Sequence, residues 1–140
     1  LSSKMLEKAR ERGIYQRLEH SELLSMMQAE PAASFDMVLA ADVFVYVGEL
    51  SAIHGEARRL LTPGGLFLFS VESSDSLLPE GQLEPANDYQ LLHSGRFAHA
   101  AAYLQRLATE HGLQMLALES KVLRMESNAP IIGWYAVLTR

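Results

Sequence analysis

The side chains with the most chemical reach in this sequence are Tyr46, His93, Arg96 and His99. Tyr46 follows an apolar run, and the two histidines flank the approach to a helical segment near the C-terminal end. A phenol or an imidazole there can hydrogen-bond a substrate oxygen or nitrogen, and either can serve as a general base. Each such residue, taken alone, is more often structural. Arg96, between Gly95 and Phe97, can clamp a substrate carboxylate through two parallel hydrogen bonds, or it can pair with an acid of the loop before it. Ready-made catalytic patterns are lacking: there is no HExxH, GxSxG, P-loop or EF-hand sequence. The five histidines, His20, His54, His93, His99 and His111, show no metal-ligand spacing. Without cysteine there is no disulfide, no thiolate nucleophile and no Cys-based metal site. The sequence therefore assigns no catalytic residue and no metal.

The stretch that must position these groups is Phe35 to Glu72. Met37 to Ala40 form a short apolar run, which suits a strand buried on both faces. Leu50, Ile53, Ala57, Leu60 and Leu61 then recur at helical spacing, while Glu49, Glu56, Arg58 and Arg59 stay polar. Thr62-Pro63-Gly64-Gly65 reads as the turn that stops this helix, and Leu66 to Val71 as a second apolar strand. The unit is βαβ, with a right-handed crossover. Ligands of such open sheets bind beyond the carboxyl ends of the strands, which puts Ala41 to Gly48 and Glu72 to Asp75 at the mouth of any site.

Upstream, Ser2 or Ser3 can cap a helix from about Lys4 to Arg12 that Gly13 ends, with Met5 and Ala9 on one face. Arg17 to His20 is a short strand candidate. Ser25 to Ser34 starts as helix and becomes loop at Pro31. Downstream, residues 73–93 hold Pro79, Gly81 and Pro85 and an acidic excess without sustained periodicity. We read them as a lid or insertion over the sheet's carboxyl end, or equally as a surface excursion. Ser94 to His99 opens a helix running to about His111. Leu113 to Arg124 and Ile131 to Thr139 read as two strands whose short connection requires antiparallel pairing. The fold class is α/β: a doubly wound, mostly parallel sheet ending in an antiparallel hairpin.

FDMVLAADVFVYV and EARRLLTPGGLFLFSVE together resemble the region around the fourth and fifth strands of class I S-adenosylmethionine-dependent methyltransferases. SGRFAH (Ser94 to His99) and VLRMESNAP (Val122 to Pro130) are similar to methyltransferases that often carry tetratricopeptide repeats upstream. The resemblance covers nearly the whole chain, but the glycine-rich loop that the family places after its first strand is absent. It implies one methyltransferase-like domain over residues 1–140, truncated on its N-terminal side, with the family's ribose-holding acid falling just before Leu1, so that these residues alone are expected to bind the cofactor weakly or not at all and to be inactive. It further implies an S-adenosylmethionine site. Leu1, Ser2 and Met5 would line the cofactor's edge, Glu22 would accept from the adenine amine and Leu23 would pack beside the ring. Ala41, Asp42 and Tyr46 would complete the cofactor side, with His93, Arg96 and His99 on the substrate side. Read without the family, Ser2 to Met5 is a capped surface helix and Glu22 a solvated loop charge.

Methyl transfer from a sulfonium is an in-line displacement at carbon. It needs alignment and exclusion of water more than acid–base machinery, which agrees with the missing catalytic motifs. The implied acceptor is a small molecule or a protein. Two other readings stand beside this one: a non-catalytic interaction module, and a fragment of a nicotinamide-dependent oxidoreductase, whose glycine fingerprint would also lie upstream. The C-terminal hairpin and SGRFAH favour the methyltransferase. A sheet without its central strand exposes an edge, so a homodimer is expected as well.

Composition bounds the rest. At 49% hydrophobic and 21% charged, 140 residues make a globular chain. A net charge of −5, from 12 basic and 17 acidic residues, argues against nucleic acid as a partner, because that affinity rests on cations neutralising phosphates. No apolar run approaches the roughly 20 residues of a membrane helix. A cysteine-free chain suits the cytoplasm.

Overall fold

A computed structural model describes residues 2–82 and 84–140. The elements run α1 (Ser3–Glu11), α2 (Leu23–Ala29), β1 (Phe35–Ala40), a short 3-10 turn (Phe44–Tyr46) and α3 (Ser51–Leu60). They continue with β2 (Leu61–Ser73), a second 3-10 turn (Asp75–Leu77), β3 (Tyr89–Leu91), β4 (Phe97–His99), α4 (Ala101–Glu110), β5 (Gln114–Glu126) and β6 (Ala129–Thr139). Leu1 lies outside the described residues, so its implied place at the cofactor's edge stays an expectation.

The sheet registers on β2. One edge of β2 pairs antiparallel with β6, from Leu66 opposite Thr139 to Glu72 opposite Gly133. The other edge pairs parallel with β1 from Leu61 to Phe69 and with β4 at Glu72 and Ser73. β5 flanks β6, and β3 flanks β4, both antiparallel. This is a mixed six-stranded α/β sheet with parallel pairing at its centre and an antiparallel hairpin at its C-terminal end. Ser127 and Asn128 turn that hairpin with positive φ at both positions, the primed turn whose twist matches the flanking strands.

The core lies on one face of the sheet. Phe67, Phe69 and Val71 of β2, with Ala136 and Leu138 of β6, meet Ile53, Ala57 and Leu60 of α3 and Tyr103, Leu104 and Leu107 of α4. The helices are amphipathic at the expected spacing, so burying their apolar stripes there is the main driving force. His54 is enclosed in the same layer, edge-on to Phe67 and Phe69, and its Nδ1–H donates to Leu50 O at 2.9 Å.

Local readings change in five places. Met37 to Ala40 is not buried on both faces: Val38 and Ala40 point to the core, whereas Met37 is 51% and Leu39 65% exposed. Successive residues of β1 point to opposite faces and only the face of Val38 and Ala40 meets the core, so alternation replaces double burial; the far edge of β1 has no ladder partner among the described residues. Arg17 to His20 is not a strand; it runs as irregular backbone between α1 and α2. Thr62-Pro63-Gly64-Gly65 does not follow the helix as a free turn; it bulges out of β2, between the Phe35–Leu61 and Met37–Leu66 pairs. Gly64 there has φ +80, and its N–H donates to Arg140 O at 3.1 Å. Residues 73–93 are not all loop, because Asp75–Leu77 makes a turn and Tyr89–Leu91 pairs with β4. Ser94 to His99 does not open the helix: Gly95, at φ +78, turns a hairpin, Phe97–His99 is strand, and α4 begins at Ala101. No helix among the described residues is long and apolar enough to cross a membrane.

Candidate functional site

The carboxyl ends of β1 and β2 converge on one edge of the sheet, as the βαβ reading requires. The chain leaves β1 through Ala41 and Asp42, both exposed. Asp42 has φ +54, left-handed backbone that Asp tolerates better than most residues. Its N–H donates to Ser70 Oγ at 3.0 Å, which ties the turn back to β2. Phe44 and Val45 then drop into the core, Phe44 against Phe67 and Phe69, and Tyr46 is left outside at 65% exposure. This short turn therefore presents Ala41, Asp42 and Tyr46 outward on a rigid base.

The next segment is held from below. His99 Nε2–H donates to Gly48 O at 3.0 Å, and the Leu50 N–H donates to the Tyr103 hydroxyl at 2.9 Å. A Cβ on Gly48 would lie 2.7 Å from the Tyr89 ring, so only glycine fits there. His99 is fully enclosed, and burial pushes its pKa down; burial likewise pushes the Tyr103 phenol up to about 12. His99 thus supports the loop from inside and has no open face toward a substrate.

A network of ions closes the mouth. Arg124 of β5 donates to Glu72 at the end of β2, to Asp42 Oδ1 at 3.1 Å and to Glu126 Oε2 at 3.3 Å. The Glu72 side chain is only 5% exposed, so it depends on that guanidinium; an unpaired carboxylate at such a depth is strongly disfavoured. Arg96 donates to Glu126 at 2.6 Å. That bond holds the Glu126 carboxyl below its ordinary range, and bonds to Glu126 and then Tyr46 raise the Arg96 pKa. Arg96 therefore pairs with an acid of the C-terminal hairpin, not with one of the loop before it. Asp75 accepts from the Ala101 N–H at 3.0 Å and from Trp134 Nε1 at 3.3 Å, which caps α4 and fixes residues 73–76.

The other residues singled out from the sequence lie on α1, on α2 and on the β3–β4 turn. Ser2 caps α1, accepting from the Met5 N–H at 3.4 Å, and Met5 is 72% exposed. Glu22 is the N-cap of α2: its carboxylate accepts from the Leu24 and Ser25 amides at 3.0 and 2.8 Å, and the Ser25 bond leads in holding its pKa down. Leu23 packs on the core and lines an apolar cavity of about 180 Å³ with Met26, Met27, Phe35 and Val38, beside the open edge of β1. His93 is exposed on the β3–β4 turn. Sequence reasoning missed Arg124 and Glu126. The available signal was Glu72, an acid at the end of an apolar strand, which calls for a cation, and Arg124, a cation inside one.

A family model described as a methyltransferase domain matches residues 1–69. No curated protein matches the chain. Solved structures do. A methyltransferase from Mesorhizobium loti, dependent on S-adenosylmethionine, is 20% identical with a TM-score of 0.70, over 100% of this chain and 77% of that one. One from Methanosarcina mazei is 18% identical with a TM-score of 0.69, over 99% and 78%. The 1,6-didemethyltoxoflavin-N1-methyltransferase of Burkholderia thailandensis, solved with 1,6-didemethyltoxoflavin and S-adenosylhomocysteine, is 16% identical with a TM-score of 0.60, over 81% and 47%.

Proposed function

We propose that this chain, whose fold is that of the class I S-adenosylmethionine-dependent methyltransferases, binds S-adenosylmethionine and takes part in methyl transfer to a small molecule or a protein. The observation that carries the reading is the methyltransferase-domain match over residues 1–69, which takes in α1, Glu22 and the whole turn after β1. The donor set fits the cofactor's chemistry. Glu22 spends one lone pair of each carboxylate oxygen on its helix cap and keeps others for an adenine amine. Leu23 offers an apolar edge, Ala41 leaves the backbone open to close approach, and Asp42 sets an exposed carboxylate at the carboxyl end of β1. Ser2 and Met5 contribute the exposed first turn of α1.

When bound, the cofactor supplies an electrophilic methyl group on a sulfonium. The chain's own work is alignment. Phe44 and Val45 anchor the turn Ala41 to Tyr46, and Tyr46 and Arg96, with His93 on the β3–β4 turn, are the groups we propose to orient an acceptor. No described side chain needs to act as a base when the acceptor's lone pair is already free. The proposed domain takes in residues 1–140, with residues 73–93 as its proposed lid or insertion, and a cysteine-free chain of this kind suits the cytoplasm.

Calorimetric titration tests the reading. The complete protein should bind S-adenosylhomocysteine, and Glu22→Ala should weaken it by about ten- to a hundredfold, the worth of one charge-assisted hydrogen bond of about 1–3 kcal/mol. Glu22→Gln should do less harm, because its carbonyl oxygen still accepts. Unchanged affinity in Glu22→Ala would remove Glu22 from the site. Binding of a nicotinamide dinucleotide without any response to S-adenosylhomocysteine would replace the methyltransferase by an oxidoreductase, and binding of neither by an interaction module.

A further inference from the structure

We infer that Arg124 is a positioning residue, which holds the turn after β1 in the one backbone shape that can present Ala41 to Tyr46 to a bound ligand; the inference rests on the cofactor site proposed above. The turn is a short excursion with a left-handed residue at its head, a shape that an L-residue leaves readily when nothing fixes it. Two bonds fix it. The Asp42 N–H donates to Ser70 Oγ at 3.0 Å, and the Asp42 carboxylate accepts from Arg124 Nη1 at 3.1 Å. Ser70 belongs to β2 and Arg124 to β5, so the backbone and the side chain of Asp42 are fastened to two different strands.

Arg124 is itself over-determined. Its second nitrogen bonds the buried Glu72 and its Nε bonds Glu126, which Arg96 also holds. The planar guanidinium can satisfy three carboxylates from one position, whereas a lysine ammonium is a point charge and cannot reproduce the fork. One side chain on β5 thus links the ends of β1 and β2 with the C-terminal hairpin, and Arg96 extends the link to the β3–β4 turn. These are the segments on which the proposed cofactor and acceptor groups sit. The charges are also nearly matched: three carboxylates meet two guanidiniums, so the network is stable in itself and acts by holding geometry.

Amide hydrogen exchange and calorimetry on the full chain test this with Arg124→Gln, Arg124→Lys and, as a control, Lys121→Gln, which removes an exposed ion pair of the same strand. Arg124→Gln should speed exchange at Asp42 to Tyr46 by about tenfold or more, while exchange at Phe67 and Phe69 stays near wild type. The same variant should weaken S-adenosylhomocysteine by about tenfold, and Arg124→Lys should recover part of both effects. Lys121→Gln should change neither. Wild-type exchange at the turn in Arg124→Gln would overturn the inference, and so would faster exchange spread evenly through the sheet, which marks a merely structural role. If the complete wild-type protein binds no S-adenosylhomocysteine, the cofactor reading fails on that result alone. The exchange pattern then still decides whether Arg124 holds the turn.

Discussion

His54 shows how a single buried residue couples this fold to pH. Its ring is enclosed between α3 and β2, and burial pushes its pKa from an ordinary 6.5 down to about 4. The unfolded chain takes up this proton near pH 6.5 and the folded chain only near pH 4, so the unfolded state gains protons first as pH falls. The contribution is fully present above pH 6.5 and is lost as pH falls toward 4, reaching about 3 kcal/mol in total. The buried, lowered His99 acts in the same direction. Urea unfolding at pH 7 and pH 5 should show this loss, and His54→Leu should flatten the slope, leaving what His99 supplies. An unchanged slope in His54→Leu would show that the proton is taken up elsewhere. Nothing in the sequence marked His54 for this role. Its helical spacing with Leu50 and Ala57 placed it near the apolar face of α3, but whether it would be enclosed depended on Phe67 and Phe69 from another element.

At the scale of elements, the parts legible in the sequence were those set by local patterns. The βαβ unit followed from an apolar run, a 3.6-residue stripe and a second run. The antiparallel hairpin followed from the shortness of its connection. What was not legible depended on partners. Met37 and Leu39 look like core until it is known which face of the sheet meets the helices, and Phe97 to His99 look helical until β3 and the end of β2 offer them ladders. The same dependence makes Gly133 critical, although it reads as an unremarkable residue in an apolar strand. A Cβ there would stand 2.3 Å from the carbonyl oxygen of Val71 and 2.3 Å from Leu123 Cδ1. Backbone cannot give way as a flexible side-chain end can, so β6 would have to pull away from β2 opposite Glu72. Gly133→Ala should destabilise the chain by about 3 kcal/mol, the upper end for an overpacked core. Gly64→Ala, at a bulge with open space around it, should cost only about 1 kcal/mol through its positive φ. Chemical denaturation of both variants checks the order, and equal losses would contradict the register given for β6.

For the molecule as a whole, the decisive asymmetry is that the core lies on one face of the sheet. The opposite face carries Met37, Leu39 and Tyr135 in the open, and β1 adds an edge of backbone groups without a ladder among the described residues. An exposed edge beside exposed apolar side chains is a template for pairing with another chain. The chain should therefore associate at low micromolar concentration, as a dimer or a larger species, and sedimentation would show it. Leu39→Lys separates this effect from folding. Leu39 is mostly exposed in the single chain, so the substitution should change intrinsic stability by no more than about 0.5 kcal/mol, as for other surface positions. In any assembly that covers β1 it would bury a lysine without a partner, and the associated species should recede. A cooperative melt together with a shift to monomer would place the association at this face. Monomeric behaviour of the unsubstituted chain at the same concentration would mean that the edge of β1 is covered in solution, and that the open face described here belongs to a different strand.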